Sequence, residues 1–200
     1  DPTVDTPTLK VNSVTVGLGR RLEWPDNYFT LTNSVSMLRY TLDNWFSGGL
    51  GFQDGKANSF TFNTTLSRRS VNEIMYPSQG SEISLSLTLT PPHSLWRDID
   101  YDRAPNAEKF AWIEFHKWMF DASFFQKLFG NLVFNARAHL GFIDTYTKKA
   151  VTGPFDRFQL GGDGLAGNQF ILGYDIIGLR GYENNSITPP NFNRSSVSEE

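Results

Sequence analysis

The chain alternates between apolar and polar residues in four long stretches. In SEISLSLTLT, residues 81–90, every second residue is Ile or Leu, and those between are Ser, Glu or Thr. The same period of two recurs in YFTLTNSVSM (28–37), NSFTFNTTLS (58–67) and NLVFNARAHLGF (131–142). Because successive side chains of an extended chain point to opposite sides, this pattern predicts strands with one apolar and one polar face.

Weaker alternation predicts two further strands. Near the start of the chain, three aliphatic residues alternate with small or polar ones: Val14, Val16 and Leu18. In KFAWIEFHKWMF, residues 109–120, aromatic rings fall on both faces. For this strand we predict that Ala111, Ile113 and Phe115 point outward and that Glu114 and His116 point inward. Each predicted strand has about ten residues, the length that a tilted strand needs to cross a bilayer.

The predicted connections differ in length from one end of the sheet to the other. Three are compact and contain Pro, Asn, Asp or Gly, at residues 24–27, 72–81 and 121–130. The others are longer, at residues 43–57, at residues 91–108 and from Asp144 onward. Short turns at one end and long loops at the other are typical of bacterial outer-membrane barrels.

Composition helps to separate two fold classes that both alternate. Aromatic residues make up 14% of the chain although its mean hydropathy is −0.36. A soluble antiparallel sandwich need not gather aromatic residues at its strand ends. Here they lie near strand ends or turns, as they do at a membrane interface: Trp24, Tyr28, Tyr40, Trp45, Tyr76, Trp112 and Trp118. We therefore predict an all-β fold, a transmembrane antiparallel β-barrel, in preference to a soluble sandwich.

Charge and cysteine content narrow the function classes. The net charge is −3 and no face is rich in Lys or Arg, so a nucleic-acid partner is not expected. The absence of cysteine excludes thiol chemistry and Cys-based zinc sites. No apolar run has the length of a membrane helix, and DPTVDTPTLK at the start is not a signal peptide, so we expect a mature or internal segment.

Candidate ligand sites lack the context that their chemistry needs. Residues 162–167 read G-x-G-x-x-G, but no βαβ unit surrounds them. Asp98, Asp100 and Asp102 have the D-x-D-x-D spacing with which a calcium-binding loop begins. However, Arg103 and Lys109 occupy the positions at which such a loop requires glycine and glutamate. A third set is better explained as a hydrated polar wall: Glu114, His116, Arg137 and His139. We predict no catalytic residue, no metal ligand and no cofactor.

The last part of the chain resembles a loop of a known family. FDRFQLGGDG and GLRGYENNSITP, within residues 155–189, are similar to the sixth extracellular loop of the BamA/TamA superfamily of outer-membrane assembly barrels. The family's glycine pair corresponds to Gly161 and Gly162. Its Val-Arg-Gly-Phe/Tyr tetrapeptide corresponds to Leu179, Arg180, Gly181 and Tyr182, with Leu in place of Val. The insertion DGLAGNQFILGYDII between the two parts resembles the variant found in Bacteroidota members.

A second match extends the resemblance over almost the whole chain. NEIMYPSQGSEISLSLTLTPP, residues 72–92, resembles the family's turn between its eighth and ninth strands. The likeness is greatest to the BamA branch, and it implies that the chain is an internal segment of a sixteen-stranded barrel. Residues 1–143 would form six transmembrane strands, the sixth to eleventh of that barrel. Residues 144–200 would form loop six, folded into the lumen.

The resemblance also implies a function and a location. The expected protein is a non-enzymatic assembly factor that folds and inserts β-barrel proteins into the bacterial outer membrane. Its expected partners are outer-membrane lipid, unfolded outer-membrane protein clients and accessory lipoproteins. The family places the arginine, here Arg180, against carboxylates of the barrel wall downstream of this segment, with Tyr182 packed beside it. The alternatives are a TamA-like insertase, a two-partner secretion pore, a passive porin and a soluble all-β binding module.

Overall fold

Six antiparallel strands form one sheet in which each strand pairs with the next in sequence. The structure is a computed structural model that describes residues 6–45, 53–97, 99–101, 103–147, 150, 152–162, 172–183 and 187. The strands are β1 (Thr8–Arg21), β2 (Phe29–Asp43), β3 (Gly55–Arg69), β4 (Gly80–Leu89), β5 (His116–Phe129) and β6 (Leu132–Asp144). The sheet is open, with β1 and β6 at its edges. The predicted all-β class is confirmed.

The strand register gathers the apolar residues on one face of the sheet. Residues paired across neighbouring strands lie on the same face. Val16 pairs with Val35, which pairs with Phe62, and Leu85 pairs with Phe120. We call this side the apolar face. The opposite side, the polar face, has mainly Ser, Thr and Asn along its middle, and hydrogen bonds such as Asn63 Nδ2 to Thr88 Oγ1 at 2.7 Å cross it.

One polar pair interrupts the apolar face. Asn33 and Thr64 are paired in register, and the Thr64 hydroxyl donates to the Asn33 side-chain oxygen at 2.6 Å. A polar group away from water is costly unless it is hydrogen-bonded. The two residues satisfy each other, so the break in the alternation adds little cost.

The connections between the strands lie alternately at the two ends of the sheet. Residues 22–28, 70–79 and 130–131 join strands at one end, here called the turn end. Residues 44–54 and 90–115 join strands at the other end, here called the loop end, and the chain also leaves β6 there. The longer connection includes a 3₁₀ turn (His93–Leu95) and a short helix, α1 (Asn106–Lys109). In the described part of the chain, no helix is long and apolar enough to cross a membrane.

The predicted position and phase of the fifth strand are wrong. β5 begins at His116, and residues 121–129, predicted as part of a turn, belong to it. His116 pairs with Leu89 and therefore lies on the apolar face, where its ring is 5.7 Å from that of Phe142. Ile113 and Phe115, predicted to point outward, are buried. Rings on both sides of this segment left its phase undetermined, and contacts with distant residues decide it.

The hydrophobic core lies at the loop end of the polar face. Its buried members come from the sheet, from the connection before β5 and from the chain after β6: Tyr40, Leu42, Ala57, Ile113, Phe115, Phe155 and Leu172. By strand phase, Tyr40, Leu42 and Ala57 project from the polar face. The chain therefore builds its core on the side of the sheet that is otherwise polar, by folding later residues back onto it.

Candidate functional site

The chain that follows β6 returns to the sheet. We call residues 152–162 and 172–183 the returning segment. It contains a parallel pair of short strands, β7 (Phe158–Leu160) and β8 (Asp175–Ile177). Its backbone bonds are partly internal, since Asp156 N–H donates to Leu172 O at 3.0 Å and Asp175 N–H donates to Arg157 O at 3.0 Å.

The two halves of the predicted loop motif meet within the returning segment. Gly161 N–H donates to Ile177 O at 3.0 Å, and Gly162 N–H donates to Tyr182 O at 2.8 Å. Leu179 N–H donates back to Gly162 O at 3.1 Å. The glycine pair and the tetrapeptide, separated by an insertion in the sequence, thus form one hydrogen-bonded unit.

The tetrapeptide is a tight turn with the arginine at its tip. Tyr182 N–H donates to Leu179 O at 3.2 Å, and Gly181 has φ 90°. A positive φ at the third position is what a type II turn requires, and glycine adopts it without steric cost. Arg180 is exposed, and no ion pair among the described residues includes it. The carboxylate partner expected for Arg180 lies downstream of this segment, so that pairing stays a prediction.

The glycine pair also requires its residue type. Gly161 and Gly162 have φ values of 103° and 81°, in a region that residues with a Cβ rarely adopt. Gly161 is buried as well. The pair lets the chain bend out of β7 while both amides donate to the strand and turn opposite.

Aromatic contacts hold the returning segment on the polar face. The Phe155 ring stacks on Tyr40 of β2, with 4.4 Å between centroids and 22° between planes. The Phe158 ring lies against Gly141 of β6, where an added Cβ would come within 2.5 Å of Phe158 Cζ. A glycine on the wall thus provides the space for this ring.

A buried lysine of β5 joins the sheet to both arms of the returning segment, which are residues 152–162 and residues 172–183. Lys117 Nζ donates to the backbone oxygen of Asp156 at 2.8 Å and forms an ion pair with Asp175. It also lies 4.8 Å from the centroid of the Phe158 ring. Its side chain is only 6% exposed. A buried ammonium is costly unless several partners stabilise it, and here three do.

Asp156 occupies an electrostatically unusual position beside this lysine. Burial raises the pKa of Asp156 to about 7, a shift opposed by Lys117 and increased by the nearby Asp175. Burial disfavours the charged form of a carboxyl group. The Asp156 side chain therefore changes charge near neutral pH.

The chain matches the family model of the Omp85 superfamily domain over residues 2–198. The chain belongs to the Omp85 superfamily. The superfamily expected from the loop motif and the turn is thereby confirmed. Omp85 proteins are β-barrels of outer membranes, and the open sheet with one apolar face has the form of part of such a wall. No curated protein matches the chain.

The polar residues considered as a cluster do not come together in this Omp85 domain. Glu114 is buried at the loop end, where it accepts from Ser94 N–H at 2.6 Å and from the Ser94 hydroxyl at 2.8 Å. His116 lies on the apolar face, whereas His139 pairs with Asp121 on the polar face. Among the described residues, no group of His, Asp or Glu could hold a metal ion. Asp98, Asp102 and residues 163–171, which include most of the G-x-G-x-x-G stretch, lie outside the described residues.

Sequence reasoning missed the wall residues that receive the returning segment. Lys117 lies in an aromatic stretch whose predicted phase was wrong, and Gly141 interrupts an alternating strand without a local reason. Glycine inside a strand often marks a place where another group approaches closely. That signal was present at Gly141, but it does not reveal that the group is the ring of Phe158.

Proposed function

We propose that this chain forms part of the barrel wall, together with loop six, of a BamA-type insertase that folds other β-barrel proteins into the outer membrane. The main support is the hydrogen-bonded unit of Gly161, Gly162 and the Leu179–Tyr182 turn on a segment docked against the polar face. The unit resembles the loop-six motif of the superfamily, and it lies on the face of the sheet that we expect to line the lumen of a barrel.

The two faces of the sheet suit this role. Hydrocarbon stabilises the apolar face, and the Ser/Thr/Asn face lines a hydrated lumen. Irregular backbone is tolerated at membrane depth only where protein or water satisfies it. In the returning segment, hydrogen bonds such as Asp156 N–H to Leu172 O and Gly161 N–H to Ile177 O contribute to this. Open strand edges are not tolerated in lipid, so β1 and β6 pair with further strands of a larger barrel.

The proposed mechanism needs no covalent chemistry and no cofactor. Unfolded client strands add to a weakly sealed seam of the barrel, as in other cases of strand addition to a sheet edge. The returning segment braces the barrel wall from inside, and accessory lipoproteins complete the machine. Arg180, at the tip of its turn, pairs with carboxylates of more distant wall strands, to which a planar guanidinium can bond twice.

Replacing the arginine at the tip tests the proposal. In a strain that carries only Arg180→Ala, we expect reduced levels of folded outer-membrane proteins. Arg103 is an exposed arginine of the loop between β4 and β5. Arg103→Ala is therefore the matched control and should leave those levels normal. Normal levels with Arg180→Ala would contradict the insertase.

The same strain distinguishes the alternatives. A TamA-like insertase would lose only a few clients. A two-partner secretion pore would lose export of one secreted protein while its other outer-membrane proteins fold normally. A porin would show altered solute flux with no assembly defect.

A further inference from the structure

Lys117 is the one residue of the described wall whose cation contacts both arms of the returning segment. Asp156 lies just before β7, and Asp175 is the first residue of β8. The Asp156 carbonyl and the Asp175 carboxylate converge on a single Nζ atom. The lysine therefore fixes the two arms relative to each other as well as to the wall.

The contacts continue from this lysine to the tip of the segment. β7 and β8 pair from Phe158 with Asp175 to Leu160 with Ile177. The next bond along the pair is Gly161 N–H to Ile177 O, and the following bonds close the Leu179–Tyr182 turn. A shift of one arm against the other would change every bond in this ladder, because strand register is set as a unit.

We propose that Lys117 is a positioning residue that sets the register of β7 against β8 and thereby holds the Leu179–Tyr182 turn in place. Its effect on the turn does not depend on what the barrel does. Only the consequence for client folding rests on the proposed function.

Hydrogen exchange in the full-length protein, reconstituted in lipid vesicles, measures the position of the turn directly. Lys117→Met keeps the apolar stem and removes the charge. We expect exchange at the Gly161, Gly162 and Leu179 amides to become about 10- to 100-fold faster, the effect of losing a charge-assisted hydrogen bond. Arg157→Met is the control, because the hydrogen bonds of the Arg157 side chain in the described structure go to Gly153 O and Thr152 O, within the same arm of the returning segment.

The strand amides separate positioning from general stability. If β4, β5 and β6 exchange as in the parent while the turn exchanges faster, the proposal is supported. Unchanged exchange in the turn, or equal acceleration in the turn and the three strands, would overturn it.

A second variant protects the test against misfolding of the first. Asp175→Asn leaves the wall intact and removes the charge from the other side. If the two residues act together, the double variant should exchange less rapidly than the product of the two single effects predicts. Purely additive effects would overturn the proposal.

The cellular readout keeps the two proposals apart. Faster exchange at the turn with normal client folding would support the positioning role of Lys117 and contradict the insertase function. Unchanged exchange with defective client folding would overturn the positioning role and leave the insertase function standing.

Discussion

The apolar face of the sheet is exposed, whereas the loop end of its polar face is buried under other parts of the chain. On the apolar face, Val14 and Leu140 are 69% and 65% exposed. On the polar face, Tyr40 and Leu42 are 1% and 3% exposed. A soluble sandwich would bury the alternating apolar side and leave the polar side to water. In this domain, by contrast, residues of the chain itself bury the loop end of the polar face.

The difference indicates what each face contacts. A continuous apolar surface of this extent marks a site that something other than water covers, and lipid covers it in the proposed function. The core on the polar face depends on the returning segment, because Phe155 and Leu172 supply its far side.

The largest expected effect is on the hydrophobic core at the loop end of the polar face. Phe155→Ala removes the ring that stacks on Tyr40 and should weaken docking of the returning segment by about 3–5 kcal/mol, as for other buried aromatic residues. Leu160→Ala, at a side chain that is 40% exposed, should cost much less. Protection of the β7 and β8 amides from hydrogen exchange measures the difference. Equal losses in the two variants would contradict a core at this position.

A charge on the apolar face should have the next largest effect. Val35→Arg places a cation in the middle of β2 and should destabilise the membrane-embedded protein by about 2–4 kcal/mol. Ser34→Arg introduces the same group one residue away on the polar face and should cost far less. Urea unfolding in lipid vesicles compares them. A larger loss for Ser34→Arg would reverse the assignment of the faces.

A methyl group on the wall should disturb the docked segment without disturbing the sheet. The Cβ of Gly141→Ala would meet Phe158 Cζ at 2.5 Å, whereas the Cβ of Gly17→Ala, also on the polar face, would lie 3.5 Å from its nearest neighbour. We expect Gly141→Ala to weaken docking by about 1–3 kcal/mol. Gly17→Ala should have little effect. The two variants are compared by exchange at the Phe158–Leu160 amides.

The smallest expected effect is a pH dependence. The pKa of Asp156 is raised from 3.8 to about 7 by burial. A raised carboxyl pKa means that docking is strongest when the group is protonated and weakens as pH rises through about 7. Docking should therefore lose about 1.4 kcal/mol between about pH 6 and about pH 8. Asp156→Asn should remove this dependence, and a profile that it leaves unchanged would assign the titration to another group.

Local alternation was enough to predict most of the sheet. Strands with one consistent phase, such as β4 with its Ile and Leu on one side, were placed correctly because period two fixes both the strand and its faces. β5 was misplaced because aromatic residues on both sides of residues 109–120 fit either phase. Its phase depends on Phe115 joining a core completed by Phe155.

The candidate site was predicted only where its residues resemble the loop-six motif of the superfamily. The positive φ values of Gly161, Gly162 and Gly181 give a physical reason for glycine at these positions of the motif. The role of Lys117 could not be found in this way. Its partner Asp156 is 39 residues away along the chain, and nothing near either residue in the sequence indicates the contact.

The central claim is that one face of the sheet meets lipid and the other encloses the returning segment. These 200 residues contain no cysteine, so a single cysteine introduced at one of positions 31–37 of β2 is the only labelling site among them. In the full-length protein, with any cysteine outside these residues replaced by serine, each variant takes one spin label. In lipid vesicles, labels at the odd positions should collide mainly with oxygen dissolved in the bilayer, and labels at the even positions mainly with a water-soluble nickel chelate. Access of the chelate to both sets of positions, with no alternation, would contradict the account.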